Sequence, residues 1–239
     1  MSGVDREIFT AEGREAILYR AERENRPLIV YHGFAGDGSE LWETPSLSSF
    51  DYNLLHIGKL DWNRDMTPWP APAVMEKGEA FTGGADAWLK VLLSEILPEA
   101  RKLIRGVPCL TGIAGYSLAG MFALYAMHQC DAFDCAASIS GSLWFPDFCG
   151  FVMSHPLKRQ PVCLYLSLGK EEAKTGNPVL QTVRERTEEL AGFYRNQGQK
   201  VIFEMNPGNH FRNAIKRSAR GIEEIIRPGK SAQEAIMGN

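Results

Sequence analysis

The sequence has no long apolar run and no block of a single charge. No apolar stretch approaches the roughly 20 residues that a membrane-spanning helix needs, so we expect no membrane partner. Residues 1–20 are charged and contain no apolar segment, which predicts no signal peptide and a cytoplasmic location. The net charge of −3, without a long basic run, argues against nucleic acid or an anionic membrane surface as the main partner.

Paired-cysteine motifs, internal repeats, linkers and low-complexity segments are also missing. The five cysteines are odd in number, lie mostly among apolar residues and show no C-x-x-C spacing: Cys109, Cys130, Cys135, Cys149 and Cys163. This usage is typical of free thiols in a reducing compartment and argues against a zinc site. The 239 residues, 44% of them hydrophobic, predict a single globular domain over residues 1–239, with a loose tail from about residue 227.

Short apolar runs alternate with connections along most of the chain. Residues 6–10 and 16–20 flank a Glu12-Gly13 turn and predict an antiparallel hairpin. Further strands are predicted at 27–32, 52–58, 111–116, 135–140, 161–168 and 200–206, and helices at 87–105 with a bend at Pro98, 118–129, 178–196 and 211–226. Residues 59–73 and 141–160 look irregular. This order predicts an α/β fold with a mostly parallel central sheet, an antiparallel N-terminal hairpin and helices on both faces.

The most informative stretch surrounds Ser117, where an apolar strand is followed directly by a helix. A serine on a sharp strand-to-helix turn projects its hydroxyl clear of the sheet edge. The turn brings neighbouring backbones together, so the positions two before and two after must be small, and here they are Gly115 and Ala119. The G-x-S-x-G pattern is met with alanine in its last position. Alone, the motif is also compatible with a simple helix N-cap.

Other polar residues follow the ends of the predicted parallel strands, the edge where α/β sheets bind ligands. A serine nucleophile needs a base, and the base needs a group that orients it. We predict His210, on the loop after the last strand, as the base, because the chain order serine, acid, histidine is typical of α/β-hydrolases. His32, His56, His128 and His155 are interpreted as structural. Glu172 is the preferred acid, but the sequence leaves Glu171 open as the alternative.

Acyl transfer also needs N–H donors for the developing oxyanion. The turn after Ser117 offers the backbone N–H of Leu118. The glycine-rich loop at residues 33–38, which follows the first parallel strand, offers that of Phe34. An ordinary connecting turn is the alternative interpretation of this loop.

Together these segments resemble the α/β-hydrolase superfamily, within the esterase group that includes esterase D and the trilactone siderophore esterases. The matching pieces are His32-Gly33-Phe34, Gly83-Gly84-Ala85-Asp86, Gly115-Tyr116-Ser117-Leu118-Ala119-Gly120, Ser140-Gly141-Ser142-Leu143-Trp144, Gly169-Lys170-Glu171-Glu172 and Gly208-Asn209-His210. The resemblance covers most of residues 27–225. It implies an α/β-hydrolase fold and hydrolase activity without a cofactor, with the nucleophile at Ser117, the histidine at His210 and the acid at Glu172.

Aromatic residues in the irregular connections are candidates for a substrate pocket: Trp62, Trp69, Trp144 and Phe145. Asp61, Arg64 and Asp65 are candidates for holding a polar end of the substrate, although packing under a long connection explains each residue equally well. The predicted function is hydrolysis of a small-molecule carboxylic ester by a serine esterase. Alternatives are a siderophore-lactone esterase or peptidase with the same residues, or a non-catalytic binding protein. The oligomeric state is open, with a homodimer as one option.

Overall fold

An eight-stranded sheet forms the centre of the molecule. The computed structural model describes residues 5–237, with side chains described for residues 5–227. The strands are β1 Arg6–Ala11, β2 Arg14–Tyr19, β3 Leu28–His32, β4 Asn53–Gly58, β7 Thr111–Tyr116, β8 Cys135–Ile139, β9 Cys163–Gly169 and β10 Val201–Asn206, with the two-residue strands β5 Pro70–Ala71 and β6 Phe81–Thr82 paired apart from them. The order in the sheet is β1-β2-β4-β3-β7-β8-β9-β10.

The antiparallel pairings lie at one end of the sheet, and the parallel part contains the strands that are buried along their whole length. The hairpin β1–β2 is antiparallel, and β2 pairs antiparallel with β4. From β4 to β10 every pairing is parallel. Strands β3, β4, β8 and β9 are buried along their whole length, as continuous apolar runs covered on both faces predict. The α/β fold, the parallel sheet and the N-terminal hairpin are therefore confirmed.

Helices cover both faces of the sheet, as predicted. They are α1 Ser39–Trp42, α2 Trp62–Asp65, α3 Ala85–Val91, α4 Leu97–Leu103, α5 Leu118–Gln129, α6 Phe148–Ser154, α7 Pro178–Gln181, α8 Val183–Asn196 and α9 Ala214–Met237. One core cluster joins α3, α4, α5, α6 and α8 to one face of the sheet, and the other joins α1 and α9 to the opposite face. Helix α5 is buried over nearly all its residues, so it acts as a fixed support directly behind β7 and β8.

Several boundaries differ from the sequence predictions. Between α3 and α4 the chain widens into a π-helical segment, Leu92–Ile96, just before Pro98. Proline lacks an N–H and crowds the preceding turn, which accounts for the local widening, and the bend at Pro98 stays a prediction. The connections predicted as irregular contain the short elements α2, β5 and α6, which lack a long periodic pattern.

The last helix is longer than predicted. We expected it to end at Ile226, but α9 continues to Met237, because the residues after Pro228-Gly229 are mostly good helix formers. The predicted looseness of the tail falls largely on side chains outside the described residues, and it stays a prediction, as does the single-domain organisation.

Candidate active site

Ser117 occupies the sharp turn between β7 and α5. Its backbone has φ 61° and ψ −124°, a conformation that costs a non-glycine residue on the order of 1–3 kcal/mol. A hydrogen bond from the Ser117 N–H to the carbonyl oxygen of Ile139, at 3.0 Å, holds the turn in place. A Cβ on Gly115 would lie 2.5 Å from the Cβ and backbone of Ala119, so only glycine fits there. The steric pattern in the sequence is therefore the pattern that this backbone requires.

His210 lies beside Ser117 although 93 residues separate them in the chain. Its Nε2 is 3.1 Å from the Ser117 hydroxyl oxygen, within hydrogen-bond distance. The other ring nitrogen, Nδ1, is 2.8 Å from Oε2 of Glu172. The Tyr116 hydroxyl donates to the backbone carbonyl of His210 at 2.5 Å and fixes the loop that carries the imidazole. The three predicted side chains therefore form one continuous hydrogen-bonded chain.

Glu172, and not Glu171, stands behind the imidazole. The Glu172 side chain is 3% exposed, whereas Glu171 points into solvent. The Glu172 N–H donates to the carbonyl of Gly169 at 3.1 Å, and this tight turn folds the carboxylate back onto the strand end. Gly169 is required there, because a Cβ would lie 2.9 Å from Oε1 of Glu172 and 2.5 Å from the carbonyl oxygen of Gly208.

The second carboxylate oxygen of Glu172 is surrounded by donors. Oε1 accepts hydrogen bonds from the Ser140 hydroxyl at 2.7 Å, the Gly169 N–H at 2.7 Å and Nη2 of Arg217 at 2.8 Å. Burial alone would raise the pKa of Glu172, but His210, Arg217 and Ser140 together outweigh it and lower the pKa to about 2. Glu172 is therefore ionised at neutral pH, although it is buried.

Arg217 is a member of this site that the sequence analysis missed. It lies on α9, is 3% exposed and, besides Glu172, donates to the Ser140 hydroxyl and to the carbonyl of Asn209. Its guanidinium carbon lies 5.4 Å from the centroid of the Tyr116 ring. No local motif marks this arginine, because its partners come from four other parts of the chain.

The predicted oxyanion donors border the same cleft. The N–H groups of Phe34 and Leu118 donate to no protein acceptor in the described part of the chain, and both residues line pockets that contain Ser117. The Ser142 hydroxyl lies 3.2 Å from the Ser117 hydroxyl and adds a third polar group.

Two pockets meet at Ser117. The first, of about 500 Å³, lies under the loop 33–41 and is completed by Ala214 and Ile215. The second, of about 740 Å³, lies on the other side of the serine between Phe81, Trp144 and Leu180. Four residues line both pockets: Trp62, Ser117, His210 and Phe211. Of the three predicted pocket tryptophans, Trp62 and Trp144 therefore border the cleft.

Trp69 does not line either pocket. Its ring packs against Phe145 and Phe151, and its Nε1–H donates to the carbonyl of Pro146 at 3.0 Å. Trp69 is partly buried against the hydrophobic core, as expected for an aromatic side chain that packs under a long connection.

The predicted polar anchors are also structural. Asp65 is 2% exposed and accepts hydrogen bonds from Arg14, Arg64 and the backbone N–H of Asp61. This ion-pair network ties the N-terminal hairpin to α2 and lies outside both pockets.

The remaining histidines have no contact with Ser117. His32 accepts from Nε1–H of Trp88 at 3.2 Å, and burial lowers the pKa of His32 to about 3. His56 lies under the loop with Gly33 and Gly38, and burial lowers its pKa to about 4. His128 contacts the Tyr194 hydroxyl at 2.8 Å, and burial lowers its pKa to about 4 as well. His155 is exposed.

The five cysteines, all of which lie in the described part of the chain, form no disulfide. Among the described residues, no group of three or more potential metal-ligating side chains comes together. No helix within residues 5–237 has the length and apolarity needed to cross a membrane.

Comparison with known proteins places this site in a family. The "Uncharacterized protein YbbA" of Bacillus subtilis (strain 168) is 25% identical over 150 residues, which are 61% of this chain and 60% of that protein. An IroE-like serine hydrolase from Shewanella oneidensis superposes with a TM-score of 0.74 at 16% identity, covering 93% of this chain and 80% of that one. The siderophore hydrolase EstA from Aspergillus nidulans gives a TM-score of 0.67 at 16% identity, covering 93% and 94%. These structures show that the fold is shared.

The family model described as "Putative esterase" matches residues 57–211. The matched segment covers more than half of the chain and includes Ser117 and His210. The chain therefore belongs to this esterase family of the α/β-hydrolase superfamily.

Proposed function

We propose that this chain is a serine hydrolase that cleaves small-molecule carboxylic esters through an acyl-enzyme on Ser117. His210 accepts the Ser117 proton while the hydroxyl oxygen attacks the ester carbonyl, and Glu172 stabilises the imidazolium that forms. The N–H groups of Phe34 and Leu118 bind the oxyanion. The imidazolium then gives its proton to the leaving alcohol. Water, deprotonated by His210, then attacks the acyl carbon; the bond to Ser117 breaks, the carboxylic acid leaves, and the imidazolium returns its proton to the serine oxygen.

The observation that carries this proposal is the hydrogen-bonded chain from the Ser117 hydroxyl through His210 to an ionised Glu172 at the floor of an open cleft. A serine hydroxyl is a weak nucleophile until a neighbouring base removes its proton, and the chain provides that base with a fixed tautomer. The strained backbone at Ser117 supports the same role, because strain persists where the surrounding structure maintains it for a function.

The alternatives are a siderophore esterase or a peptidase with the same side chains, and a non-catalytic binding protein, and each calls for a different assay. The names of EstA and of other similar structures favour siderophore esters as one substrate class to test. A peptidase would use the same three side chains. A non-catalytic binding protein would not need a pre-assembled base beside the serine, and the intact chain therefore argues against it.

The test is labelling with a fluorophosphonate probe together with turnover of p-nitrophenyl esters. We expect both in the native protein and neither in Ser117→Ala, with kcat falling by at least about 10³-fold. Ser94→Ala, at an exposed serine, is the matched control and should behave as native. A native protein that is folded but neither labelled nor active on p-nitrophenyl, siderophore or peptide substrates would refute the hydrolase proposal.

A cytoplasmic location remains part of the proposal, supported by five cysteines that form no disulfide with one another, as is usual in a reducing compartment. The absence of a nucleic-acid partner and the homodimer option also stay predictions. Sedimentation of the purified protein tests the oligomeric state directly.

A further inference from the structure

The two pockets beside Ser117 differ in position but are each large. Volumes of about 500 Å³ and 740 Å³ both lie within the range of about 300–1,000 Å³ that pockets for drug-sized ligands occupy. A substrate whose ester carbonyl lies at Ser117 has one group on each side of the scissile bond. A small acyl or alcohol group would leave the corresponding pocket filled with water.

Apolar side chains line the approach to both pockets. Phe34 is 78% exposed and Phe211 is 87% exposed. Exposure of whole phenyl rings is unfavourable, and a rim of such rings around a cleft marks a surface that a ligand covers. Phe34 packs edge-to-face on Trp62, with 5.2 Å between the ring centroids, and Phe211 packs edge-to-face on His210, with 5.3 Å between the centroids. The Phe211 ring is next to the proposed base, and Phe34 lines the same pocket as Ser117, so an ester bound at the serine lies close to both rings.

The charges at the rim disfavour an anionic ligand. Three exposed carboxylates border the pockets, Glu40 on the first and Glu76 and Glu171 on the second, and none is in an ion pair with another described residue. Lys174 is the one lysine or arginine among the residues that line the two pockets. The negative excess repels a carboxylate on the substrate, although solvent weakens the effect at these exposed positions.

We propose that the natural substrate class is an uncharged ester with a bulky, largely apolar group on both the acyl and the alcohol side. This inference rests on the proposed esterase function and adds the size, polarity and charge of its substrates. The two pockets hold the two groups on opposite sides of the serine, with Phe34 over the first pocket and Phe211 bordering both.

The test is a series of four esters that combines a small or a bulky acyl group with a small or a bulky phenolic alcohol of matched acidity. We expect kcat/KM to rise by at least about 10-fold for each bulky group, since even single methylene groups in apolar pockets change specificity by 10-fold or more. A carboxylate added to either bulky group should lower kcat/KM about 5-fold relative to the carboxamide.

Two pocket variants show which pocket holds the acyl group and which holds the alcohol group. Ile215→Trp narrows the first pocket and Leu180→Trp the second, and the readout is the ratio of kcat/KM for bulky over small groups within each variant. We expect one variant to reduce the ratio for the acyl group alone and the other for the alcohol alone. Val107→Trp, at an exposed valine outside both pockets, should leave both ratios unchanged.

The outcomes distinguish this inference from the proposed function. The proposed substrate with two bulky groups is refuted if the protein hydrolyses small esters but bulky groups do not raise kcat/KM. It is also refuted if both variants affect the same group of the ester. In either case the esterase function stands. A preference for the carboxylate over the carboxamide would overturn the requirement for an uncharged ester. If no ester of the series is cleaved and the fluorophosphonate probe does not react, the esterase proposal itself fails.

Discussion

Arg217 offers a sharp test of how the site is held together. The arginine is buried, shares the carboxylate of Glu172 with His210 and also binds the Asn209 carbonyl that precedes the imidazole. Arg217→Met removes the charge and the hydrogen bonds to Glu172, Ser140 and Asn209 while keeping an apolar stem of similar length. Because Arg217 lies behind Glu172 and lines neither pocket, the substitution leaves the substrate contacts in place.

The size of the effect can be worked from Glu172. Its pKa is lowered from 4.5 to about 2, which at 1.36 kcal/mol per unit amounts to about 3 kcal/mol of net carboxylate stabilisation. His210, Arg217 and Ser140 share this stabilisation, and His210 is the largest contributor among them. Breaking a buried ion pair typically costs 3–5 kcal/mol. Since Glu172 keeps three donors, we expect the free energy of unfolding to fall by about 2–3 kcal/mol.

Activity should change in a characteristic way. The hydrogen bond from Arg217 helps to hold the pKa of Glu172 low, so its removal should raise that pKa and move the acidic limb of kcat/KM to higher pH. The loosened Asn209–His210 loop should lower kcat by about 10-fold with little change in KM, because misplacement of a catalytic group by an ångström costs up to 10². Arg217→Lys keeps the charge and should restore the native pH profile.

The assay is kcat and KM for a p-nitrophenyl ester between pH 5 and 9, with urea unfolding on the same samples. Arg220→Met is the matched control, because this arginine is on the same helix but is 41% exposed in surface ion pairs. It should cost no more than about 1 kcal/mol and leave the profile unchanged. A native pH profile and kcat in Arg217→Met would refute the positioning role and leave Arg217 as a packing residue.

Three further predictions concern single groups. Glu172→Gln should lower kcat by about 10³–10⁴, whereas Glu171→Gln should stay within about threefold of native, and equal effects would reject the assignment of the acid. Phe34→Pro, which deletes the N–H, should lower kcat about 100-fold relative to Phe34→Ala, and equal rates in the two variants would remove this amide from the oxyanion site. Buried neutral histidines should make stability fall with acid, as urea unfolding at several pH values will measure. They are His32, His56 and His128. Their folded pKa values lie below 6.5, so unfolding takes up protons. Their contribution to the free energy of unfolding is fully present above pH 6.5. It falls as the pH is lowered to about 4, by about 3 kcal/mol for each fully shifted histidine. His56→Gln should flatten this dependence, and an unchanged slope would contradict the reasoning.

The sequence was most informative where the structural requirement is local. Ser117 stands in a turn that requires small residues two positions before and after it. Gly115 and Ala119 therefore mark the turn in the sequence itself. The parallel strands were equally visible, because burial on both faces demands a continuous apolar run. Short elements such as α2 and α6 left no such pattern, since four to seven residues give too little periodicity to detect.

Choosing between Glu171 and Glu172 required the turn after Gly169, and no property of two adjacent glutamates encodes its direction. Trp69 was left open between pocket and packing for a related reason, since an aromatic side chain packs equally well into a pocket wall or a core, and only its neighbours Phe145 and Phe151 decide. Arg217 is the extreme case. Its role depends on Glu172, Ser140 and Asn209, which are 8 to 77 residues away in the chain. A reacting group is thus predictable when its own backbone must be unusual, whereas the groups that tune it are recognised only after folding brings distant residues into contact. Charge and hydrogen bonding at Glu172 could therefore vary among chains that share the Ser117 motif, and the pH dependence of Arg217→Met measures how much this chain relies on them.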